Sequence, residues 1–322
     1  MDATELLRRE KLRRIQRSID YTDIGLTSPG GKLSAEDADA FITYIVSEGD
    51  PFFSSIQVIP MFSEKRHIDV FNIPGRQLRL KEPGVDPANP ITATFSRNIL
   101  VAIKTMLQID IEEEVFEENI EKEGFESTLL RQFAITYSND ILDLGWNGDE
   151  GVAPGGDHDF ISINDGWITK ANDTGNTLDA SAYVSHMPIW KDMLIQMPRW
   201  FKANKDALRF YVSPNTEIRY RAELEGRETA MGDAYLDQNK RARYQGVLIE
   251  PIGVIPDEYA LLINPTNMVF GIEYGMAIER FKQIKTGVHE IVMTTKNDFQ
   301  FAINDGLVLA YDIPEIGGVT GT

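Results

Sequence analysis

Apolar residues at helical spacing mark two segments of the chain. In residues 4–19 they return every three or four positions on a charged background, which predicts a helix with one thin apolar stripe. Such a helix is typical of a segment that docks on a partner. Between residues 112 and 144, a second series from Phe125 to Leu144 predicts the longest helix, which Gly145 is expected to end.

Alternating apolar residues predict long strands. Residues 91–109 predict one half-buried strand, and residues 276–311 are predicted to be almost all strand and to pair with it. Between residues 51 and 90, His67–Ile73 and Arg76–Lys81 predict two strands of a ribbon. A two-stranded ribbon is marginal alone in water, so we expect it to lie on another part of this chain or on another copy.

A compact region of short, mixed elements is predicted after residue 183. Its elements are helices over Trp190–Met197 and Pro214–Leu224 and strands over Leu208–Val212, Val247–Val254 and Tyr259–Ile263. Residues 149–177, rich in glycine and aspartate, are expected to form loops. The order of elements predicts an α+β architecture in which a compact lobe is inserted into a longer platform.

Composition narrows the functional classes. The chain of 322 residues has no cysteine, which excludes a disulfide framework, a thiolate zinc site and a cysteine nucleophile. Its start is charged and lacks an apolar signal-peptide core, and no apolar run approaches the ~18 residues of a membrane span. We therefore expect a soluble protein made in a cytoplasm.

Charge is unevenly distributed along the chain. The net charge of −18 predicts weak general affinity for duplex DNA, because that affinity comes mainly from neutralised phosphates. Six basic residues nevertheless lie between Arg8 and Arg17, and eight glutamates lie between Glu112 and Glu126. The two segments could attract each other between neighbouring copies, or they could be two solvated helix faces.

Clusters that could carry chemistry do not match known sites. Acidic residues and one histidine could build a metal or acid–base site, but their spacing fits no calcium loop and indicates a solvated surface: Asp149, Glu150, Asp157, His158 and Asp159. The four histidines have no ligand spacing, and neither a serine-nucleophile elbow nor a lysine-containing phosphate loop occurs. The sequence therefore predicts no catalytic, cofactor-binding or metal-binding residue.

Two further patterns leave alternatives open. The glutamates of residues 112–126 could hold the carboxylate pair of a glycoside hydrolase, although carboxylates in a helical run usually face solvent. Arg219–Arg221 and Lys240–Tyr244 combine basic and aromatic residues and could contact nucleic acid. We favour the interpretation that they meet acidic neighbours across a subunit interface.

Five phrases, in order, carry a resemblance to a known family. They are Ser138–Asp149, Asn164–Ile168, Tyr220–Asp233, Tyr244–Pro251 and Asn264–Ile272. Together with the order of elements they resemble the major capsid protein of a tailed double-stranded DNA bacteriophage, which has the Hong Kong 97-like fold. The resemblance covers nearly the whole chain and implies a non-enzymatic structural protein.

The resemblance also implies a division of the chain. Residues 1–55 would form an N-terminal arm, 56–98 a ribbon called the E-loop, 99–180 a peripheral domain with a long spine helix, 181–272 an axial domain, and 273–322 returning peripheral strands. The implied function is a subunit that assembles into the pentamers and hexamers of an icosahedral head and encloses packaged DNA. The alternatives are an encapsulin-type nanocompartment shell and an acidic glycoside hydrolase.

The resemblance implies partners and candidate contact residues. The subunit would contact itself, a separate scaffolding protein, a portal and a decoration protein, would touch DNA only weakly, and would be assembled in the host cytoplasm into the virion. It would need no membrane and no cofactor. Lys81 and Asn297 are candidates for a covalent crosslink, which we do not expect. The subunit-interface candidates are Leu12, Ile15, Arg76, Leu78, Arg79, Leu80, Lys81, Arg221, Arg227 and Asp233.

Overall fold

A computed structural model describes residues 51–72, 94–112, 125–225, 241–273, 277–283 and 285–315. The strands are β1 Gln57–Met61, β2 Lys65–Asn72, β3 Thr94–Val101, β4 Ile103–Glu112, β5 Thr177–Asp179, β6 Arg209–Val212, β7 Arg243–Tyr244, β8 Val247–Pro251, β9 Ala260–Ile263, β10 Met268–Glu273, β11 Ala277–Gln283, β12 Val288–Phe301 and β13 Leu307–Tyr311. The helices are α1 Phe125–Asn147, α2 His158–Ile161, α3 Trp167–Asp173, α4 His186–Gln196, α5 Arg199–Lys202 and α6 Pro214–Glu225.

The largest surface of the fold is a platform sheet built around the long strand β12. Its strands are β1, β10, β12, β11 and β4. Strand β12 pairs antiparallel with β4 over ten positions, from Val288 opposite Glu112 to Asn297 opposite Ile103. On its other side β12 pairs with β10 and β11 in succession. The prediction that the returning strands pair with the strand before the long helix is therefore confirmed.

The predicted single strand over residues 91–109 is wrong, because the chain changes partner at Ala102. Strand β3 pairs with β2, whereas β4 pairs with β12. The predicted apolar face does not continue through the break. Ile99 and Val101 are about 40% exposed, at 41% and 40%, while Leu100 and Ala102 are buried. The alternation of apolar residues continues from β3 into β4. It therefore does not show where the chain leaves the ribbon and joins the platform sheet.

A two-stranded ribbon, β2 with β3, stands apart from the platform sheet. Its register runs from Lys65 opposite Val101 to Asn72 opposite Thr94. The predicted ribbon partner, Arg76–Lys81, lies outside the described residues. Within the described ranges, the strand that pairs with the predicted His67–Ile73 segment is β3.

Helix α1 packs across one face of the platform sheet. Its buried residues, from Ala134 to Trp146, share a core with the inward-facing side chains of β12, such as Met293 and Phe299. Gly145 does not end the helix, which continues to Asn147. A Cβ at Gly145 would lie 2.9 Å from Phe299 Cε1 and from Trp167 Cζ3. The glycine therefore allows close packing, and the prediction that it stops the helix is wrong.

The predicted compact lobe is a second sheet with helices on one face. Its strand order is β5-β13-β9-β6-β8-β7, and β6 and β8 are parallel. Helices α4 and α6 cover one face of this lobe sheet, and the other face joins the core around α1 and α3. The predicted helix over Trp190–Met197 is α4, which begins four residues earlier at His186.

The chain crosses between the two sheets more often than the predicted domain boundaries suggest. Strand β10 lies within the predicted axial range but pairs in the platform sheet, and β13 lies within the returning segment but pairs with β9 in the lobe sheet. The predicted loops over 149–177 contain α2 and α3. Trp167 of α3 is fully buried and holds this segment against the core.

Candidate functional site

The ribbon is anchored to the platform by a polar cluster, which we call the ribbon root. Its members are Asn98 and Val101 of β3, Asn164, Lys170 of α3, Asp298 and Gln300 of β12, and Asn304. Asp298 is at its centre. One carboxylate oxygen, Oδ2, accepts a hydrogen bond from the Val101 backbone N–H at 2.7 Å. The other, Oδ1, accepts from Lys170 Nζ at 2.9 Å and from Asn164 Nδ2 at 3.2 Å.

The charges of Asp298 and Lys170 are mostly removed from water. The Asp298 side chain is 4% exposed and the Lys170 side chain is 18% exposed. Lys170 also donates to the backbone carbonyl of Phe299. A buried ion pair is retained only where hydrogen bonds satisfy its remaining donors and acceptors, as they do here. The pair joins α3, β12 and the end of the ribbon at one point.

Further hydrogen bonds fix the direction in which the ribbon leaves the platform. Asn98 Nδ2 donates to the carbonyl oxygen of Phe301 at 2.7 Å and to Asn304 Oδ1 at 2.8 Å. Gln300 Nε2 donates to the Ile99 carbonyl at 3.4 Å. At the opposite strand, the Ala102 N–H donates to the Glu64 carbonyl at 2.8 Å. Where the chain passes from the ribbon to the platform, some backbone groups have no partner in a neighbouring strand. Side chains form hydrogen bonds with these groups.

A small apolar cluster lies beneath the ribbon root. Met61, Leu100, Ala102 and Val269 are buried together. Leu100 and Met61 lie over Gly271, where a Cβ would be 2.8 Å from the Met61 sulfur and 3.1 Å from Leu100 Cδ1. The absent side chain of Gly271 therefore allows the base of the ribbon to seat on β10.

A second polar network lies inside the platform core. The Tyr137 hydroxyl of α1 is 2.8 Å from Thr295 Oγ1, and Thr295 Oγ1 is 2.9 Å from Thr105 Oγ1. Asn297 Nδ2 donates to Thr105 Oγ1 at 3.1 Å. Burial raises the pKa of Tyr137 above its ordinary value of 10.0, so its hydroxyl stays neutral. Asn297, considered as a crosslink candidate, is fully buried in this network, and Lys81 lies outside the described residues.

The compact lobe contains one buried histidine held by a carboxylate. His186 begins α4, and its backbone N–H and its Nδ1 lie 3.0 and 3.3 Å from Glu223 Oε2 of α6. Ser185 donates to the other Glu223 oxygen. Burial lowers the pKa of His186 below 6.5, and it outweighs the opposing effect of Glu223. The contact ties the two lobe helices together.

Arg221 is the predicted interface residue that the structure describes. It forms an i,i+4 ion pair with Glu217 on α6 and keeps 43% of its side chain exposed. Neighbouring Arg219 lies 3.4 Å from Glu315 and 4.0 Å from Asp257. Both arginines thus have partners within their own chain. Nine predicted interface residues lie outside the described residues: Leu12, Ile15, Arg76, Leu78, Arg79, Leu80, Lys81, Arg227 and Asp233.

The residues considered for chemistry remain a surface group. Asp149 and Asp157 line one open cavity beside Asp143, while Asp159 is fully exposed next to His158. Within the described ranges, no three histidine, aspartate or glutamate side chains come together in a way that could hold a metal ion. Among the described helices, none is both long enough and apolar enough to cross a membrane.

Comparison with known proteins identifies the fold. No protein-family model matches the chain. The chain is similar to a chain in the structure of the satellite phage P4 procapsid including size determination (Sid) protein, with a TM-score of 0.72 and 12% identity over 95% of this chain and 98% of the other. The chain has the Hong Kong 97-like capsid fold. The predicted fold class is confirmed.

Further relatives agree with the capsid fold. A protein of Bacillus subtilis (strain 168), YqbE, described as a prophage capsid protein, is 24% identical over 320 residues, which cover 94% of this chain and all of the relative. The capsid of an empty GTA particle matches with a TM-score of 0.58 and 9% identity over 92% of this chain and 97% of that one. A chain in the structure of Mycobacterium phage Adephagia matches with a TM-score of 0.55 and 12% identity. The match covers 82% of this chain and 90% of the phage chain.

These comparisons support a structural, non-enzymatic capsid subunit of a tailed phage. They favour neither the encapsulin-type shell nor the acidic glycoside hydrolase. In the capsid fold, the ribbon root is the point at which the ribbon joins the platform. Sequence reasoning missed its central residues, because Asp298 and Lys170 are 128 positions apart and no local pattern marks a pair that only folding brings together.

Sequence reasoning also missed the large apolar side chains that the capsid fold leaves exposed. On the ribbon and platform these are Phe62, Ile99, Val101, Met106 and Phe281, and on the lobe they are Val184, Ile195, Trp200 and Ile218. Trp200 is 89% exposed and Val184 is 88% exposed. Contiguous exposed apolar surface often marks contacts between proteins. The sequence contains only a weak indication that Trp200 is exposed, namely its place between Arg199 and Lys202 in a short helix.

Proposed function

We propose that the chain is the structural subunit of an icosahedral phage head that self-assembles into pentamers and hexamers and encloses packaged double-stranded DNA. The observation that carries the proposal is the match to a chain of a phage procapsid structure over 95% of this chain. The ribbon supports it as well, because a ribbon of two strands has no core of its own and gains most by lying on a neighbour.

The proposal assigns a role to each part of the predicted division. The platform and α1 of the peripheral domain form a rigid plate, and the axial lobe of residues 181–272 makes ring contacts around the five- and six-fold axes. The arm before residue 51 and the ribbon from residue 65 to residue 98 reach over neighbours. The predicted ranges of 1–55 and 56–98 are too long for these roles, because Phe52 and Phe53 are buried in the core and β1 pairs in the platform sheet. Many weak contacts then add across the closed shell.

The proposal places the predicted interface candidates at contacts between copies. Leu12 and Ile15 belong to the arm, and Arg221 belongs to the lobe. The other candidates lie in the ribbon and the lobe, and they are Arg76, Leu78, Arg79, Leu80, Lys81, Arg227 and Asp233. Alanine at such a position should lower assembly without lowering the stability of the free chain.

The proposed partners follow from the same role. They are further copies of the chain, a separate scaffolding protein, a portal and a decoration protein, with assembly in the host cytoplasm and final location in the virion. The net charge of −18 suits a shell that does not hold its DNA tightly. Tight retention of DNA on empty shells at low salt would contradict this last point.

Negative-stain electron microscopy of the purified chain, with and without a candidate scaffolding protein, tests the proposal. We expect closed shells, tubes, or rings of five and six copies. Analytical ultracentrifugation under the same conditions would measure the assembled fraction. A chain that stays monomeric in every condition, with no effect of scaffold, would overturn the proposal.

A further inference from the structure

Over β4, β11 and the first half of β12, one face of the platform sheet carries no covering layer in the described part of the chain, whereas at β10 the base of the ribbon covers the same face. Strand pairing places Met106 opposite Thr294 and Phe281 opposite Glu290, so all four side chains lie on the same face as the even-numbered residues of β12. We call it the open face. Its members from three strands are Met106, Asp110 and Glu112 of β4, Glu290 and Val292 of β12, and Phe281 of β11.

The opposite face of the same strands is the core of the molecule. Ile291, Met293 and Phe299 point toward α1 and are buried, and Leu107 and Ile109 of β4 pack with them. Along β4 the burial alternates at every residue from Ile103 to Glu112. Inward residues are half-buried and outward residues are exposed. The open face is therefore a regular sheet surface and not a local distortion.

The open face combines exposed apolar surface with negative charge. Met106 is 67% exposed and Phe281 is 64% exposed. Asp110 and Glu112 are exposed, and Glu290 is half-buried. Water-exposed apolar groups of this size on a sheet face are a feature of protein contact surfaces. The carboxylates select an occupant that brings positive charge.

The described cations of these strands do not neutralise this end of the face. Lys104 and Lys296 lie opposite each other on the same face, next to Met106 and six positions along the strands from Asp110 and Glu290. Lys296 is already bonded to Glu273, with 3.0 Å between Nζ and Oε2. Lys285 lies in the turn between β11 and β12, beyond the face. The end of the face that holds Asp110, Glu112 and Glu290 thus keeps a local excess of negative charge among the described side chains.

The chain itself contains one segment of matching chemistry. Residues 4–19 hold six basic residues against Glu5 and Glu10, and their apolar stripe is Leu6, Leu7, Leu12, Ile15 and Ile19. A helix of these sixteen residues would be about 24 Å long. Strand β12 from Val288 to Lys296 is about 26 Å long. The N-terminal segment therefore matches the open face in length, in opposite charge and in apolar content.

The ribbon segment is a poorer match for the open face. Residues 73–93 contain three basic residues, Arg76, Arg79 and Lys81, and two acidic residues, Glu82 and Asp86. Their excess positive charge is one, whereas that of residues 4–19 is four, from six basic and two acidic residues. The carboxylates of the open face attract the segment with the larger excess of positive charge. The N-terminal segment is therefore the favoured occupant.

We propose that the open face of the platform binds the basic N-terminal segment, residues 4–19, of a neighbouring copy of the chain. The proposal rests on the proposed function, since assembly supplies the neighbour. Residues 20–50 could span up to ~100 Å when extended, which is enough to reach an adjacent platform. The contact joins the apolar stripe to Met106 and Phe281 and the arginines to Asp110, Glu112 and Glu290.

Site-specific crosslinking of the full chain tests the contact. The chain has no cysteine, so introduced thiols react without background. Ile15→Cys combined with Met106→Cys should give a ladder of linked chains after assembled particles are treated with a short bismaleimide. Leu12→Cys with Phe281→Cys should do the same. As a control, Ile15→Cys with Val184→Cys, which is exposed on the lobe, should give no ladder above that of either single variant.

Charge reversal separates specific docking from chance proximity. Asp110→Lys with Glu112→Lys should slow the crosslinking about tenfold, since close charge pairs at interfaces commonly contribute a kcal/mol or more. Adding Arg13→Glu and Arg14→Glu to that variant should restore the rate. The matched control, Asp159→Lys with Asp173→Lys, makes the same change in net charge on exposed residues elsewhere and should leave the rate unchanged.

Several outcomes would overturn the inference. Shells that form normally but give no ladder, or that link Met106→Cys to Leu78→Cys instead, would show that the N-terminal segment is not the occupant. Links found only within single chains would remove the neighbour from the proposal. A chain that forms no shell, ring or tube would overturn the proposed function and this inference together, so the two failures are distinguishable by microscopy of the same samples.

Discussion

At the scale of single residues, Asp298 connects three parts of the fold. Its carboxylate binds the ribbon through Val101, α3 through Lys170, and the loop before α3 through Asn164. Each of these partners lies in a different element. A change at this position therefore acts on the angle of the ribbon and on the stability of the platform at once.

Asp298→Ala should lower the free energy of unfolding by about 3 kcal/mol, because it leaves the mostly buried Lys170 charge without its partner. Urea denaturation of the unassembled chain measures the change. Asp69→Ala is the control, since it breaks an ion pair with Arg97 in which both side chains are half exposed. That variant should lose no more than about 1 kcal/mol. Equal losses in the two variants would contradict the central role of Asp298.

The pH dependence of stability should carry a contribution from His186. Its pKa is lowered in the folded chain, so below pH 6.5 the unfolded chain binds a proton that the folded chain does not. Stability from this residue is therefore present above pH 6.5 and is lost as the pH falls through the lowered folded pKa. Glu223 and Arg219 are the charged groups that act on the ring.

His186→Gln should flatten this part of the profile between pH 7 and pH 5, measured by urea midpoints at each pH. His158→Gln serves as the comparison, since His158 lies at the surface beside exposed Asp159. A profile of His186→Gln parallel to that of the unaltered chain would exclude the buried histidine as a source of acid sensitivity.

At the scale of elements, Gly145 shows how packing overrides helical propensity. It lies inside α1, where alanine would ordinarily stabilise a helix by about 1 kcal/mol. Gly145→Ala should instead destabilise the chain by about 1–3 kcal/mol, because the new methyl group would meet two aromatic rings at 2.9 Å. Thermal unfolding measures the loss. Asn139→Ala, at an exposed position of the same helix, should be neutral or slightly stabilising.

Strands and helices differ in how well the sequence predicted them. The lobe strands β6 and β9 and the helix α6 were predicted within a residue or two, because the two strands are short apolar runs and Pro214 marks the first turn of the helix. The break at Ala102 was not predicted, because apolar alternation continues through it. Only the different partners of β3 and β4 define the break.

At the scale of the whole molecule, assembly should depend on side chains that the single chain does not need. Trp200 is 89% exposed, so Trp200→Ser should leave the melting temperature of the unassembled chain unchanged. The same change should lower the assembled fraction measured by sedimentation, because exposed tryptophans contribute strongly at protein interfaces. Asn204→Ser, at a nearby exposed position, is the control. Normal assembly of Trp200→Ser would remove this side chain from the proposed lobe contacts.

The sequence by itself determined the class of architecture, the long helix, the return of the last strands onto the platform and the absence of recognised catalytic motifs. These features depend on local patterns of apolar residues or on the order of the elements. Both can be read directly from the amino-acid sequence. The tertiary structure alone decided the ribbon root, the buried place of Asn297, the packing role of Gly145 and the open face of the platform. Each depends on which distant residues meet, as Asp298 and Lys170 do across 128 positions, and periodicity carries no information about such pairs.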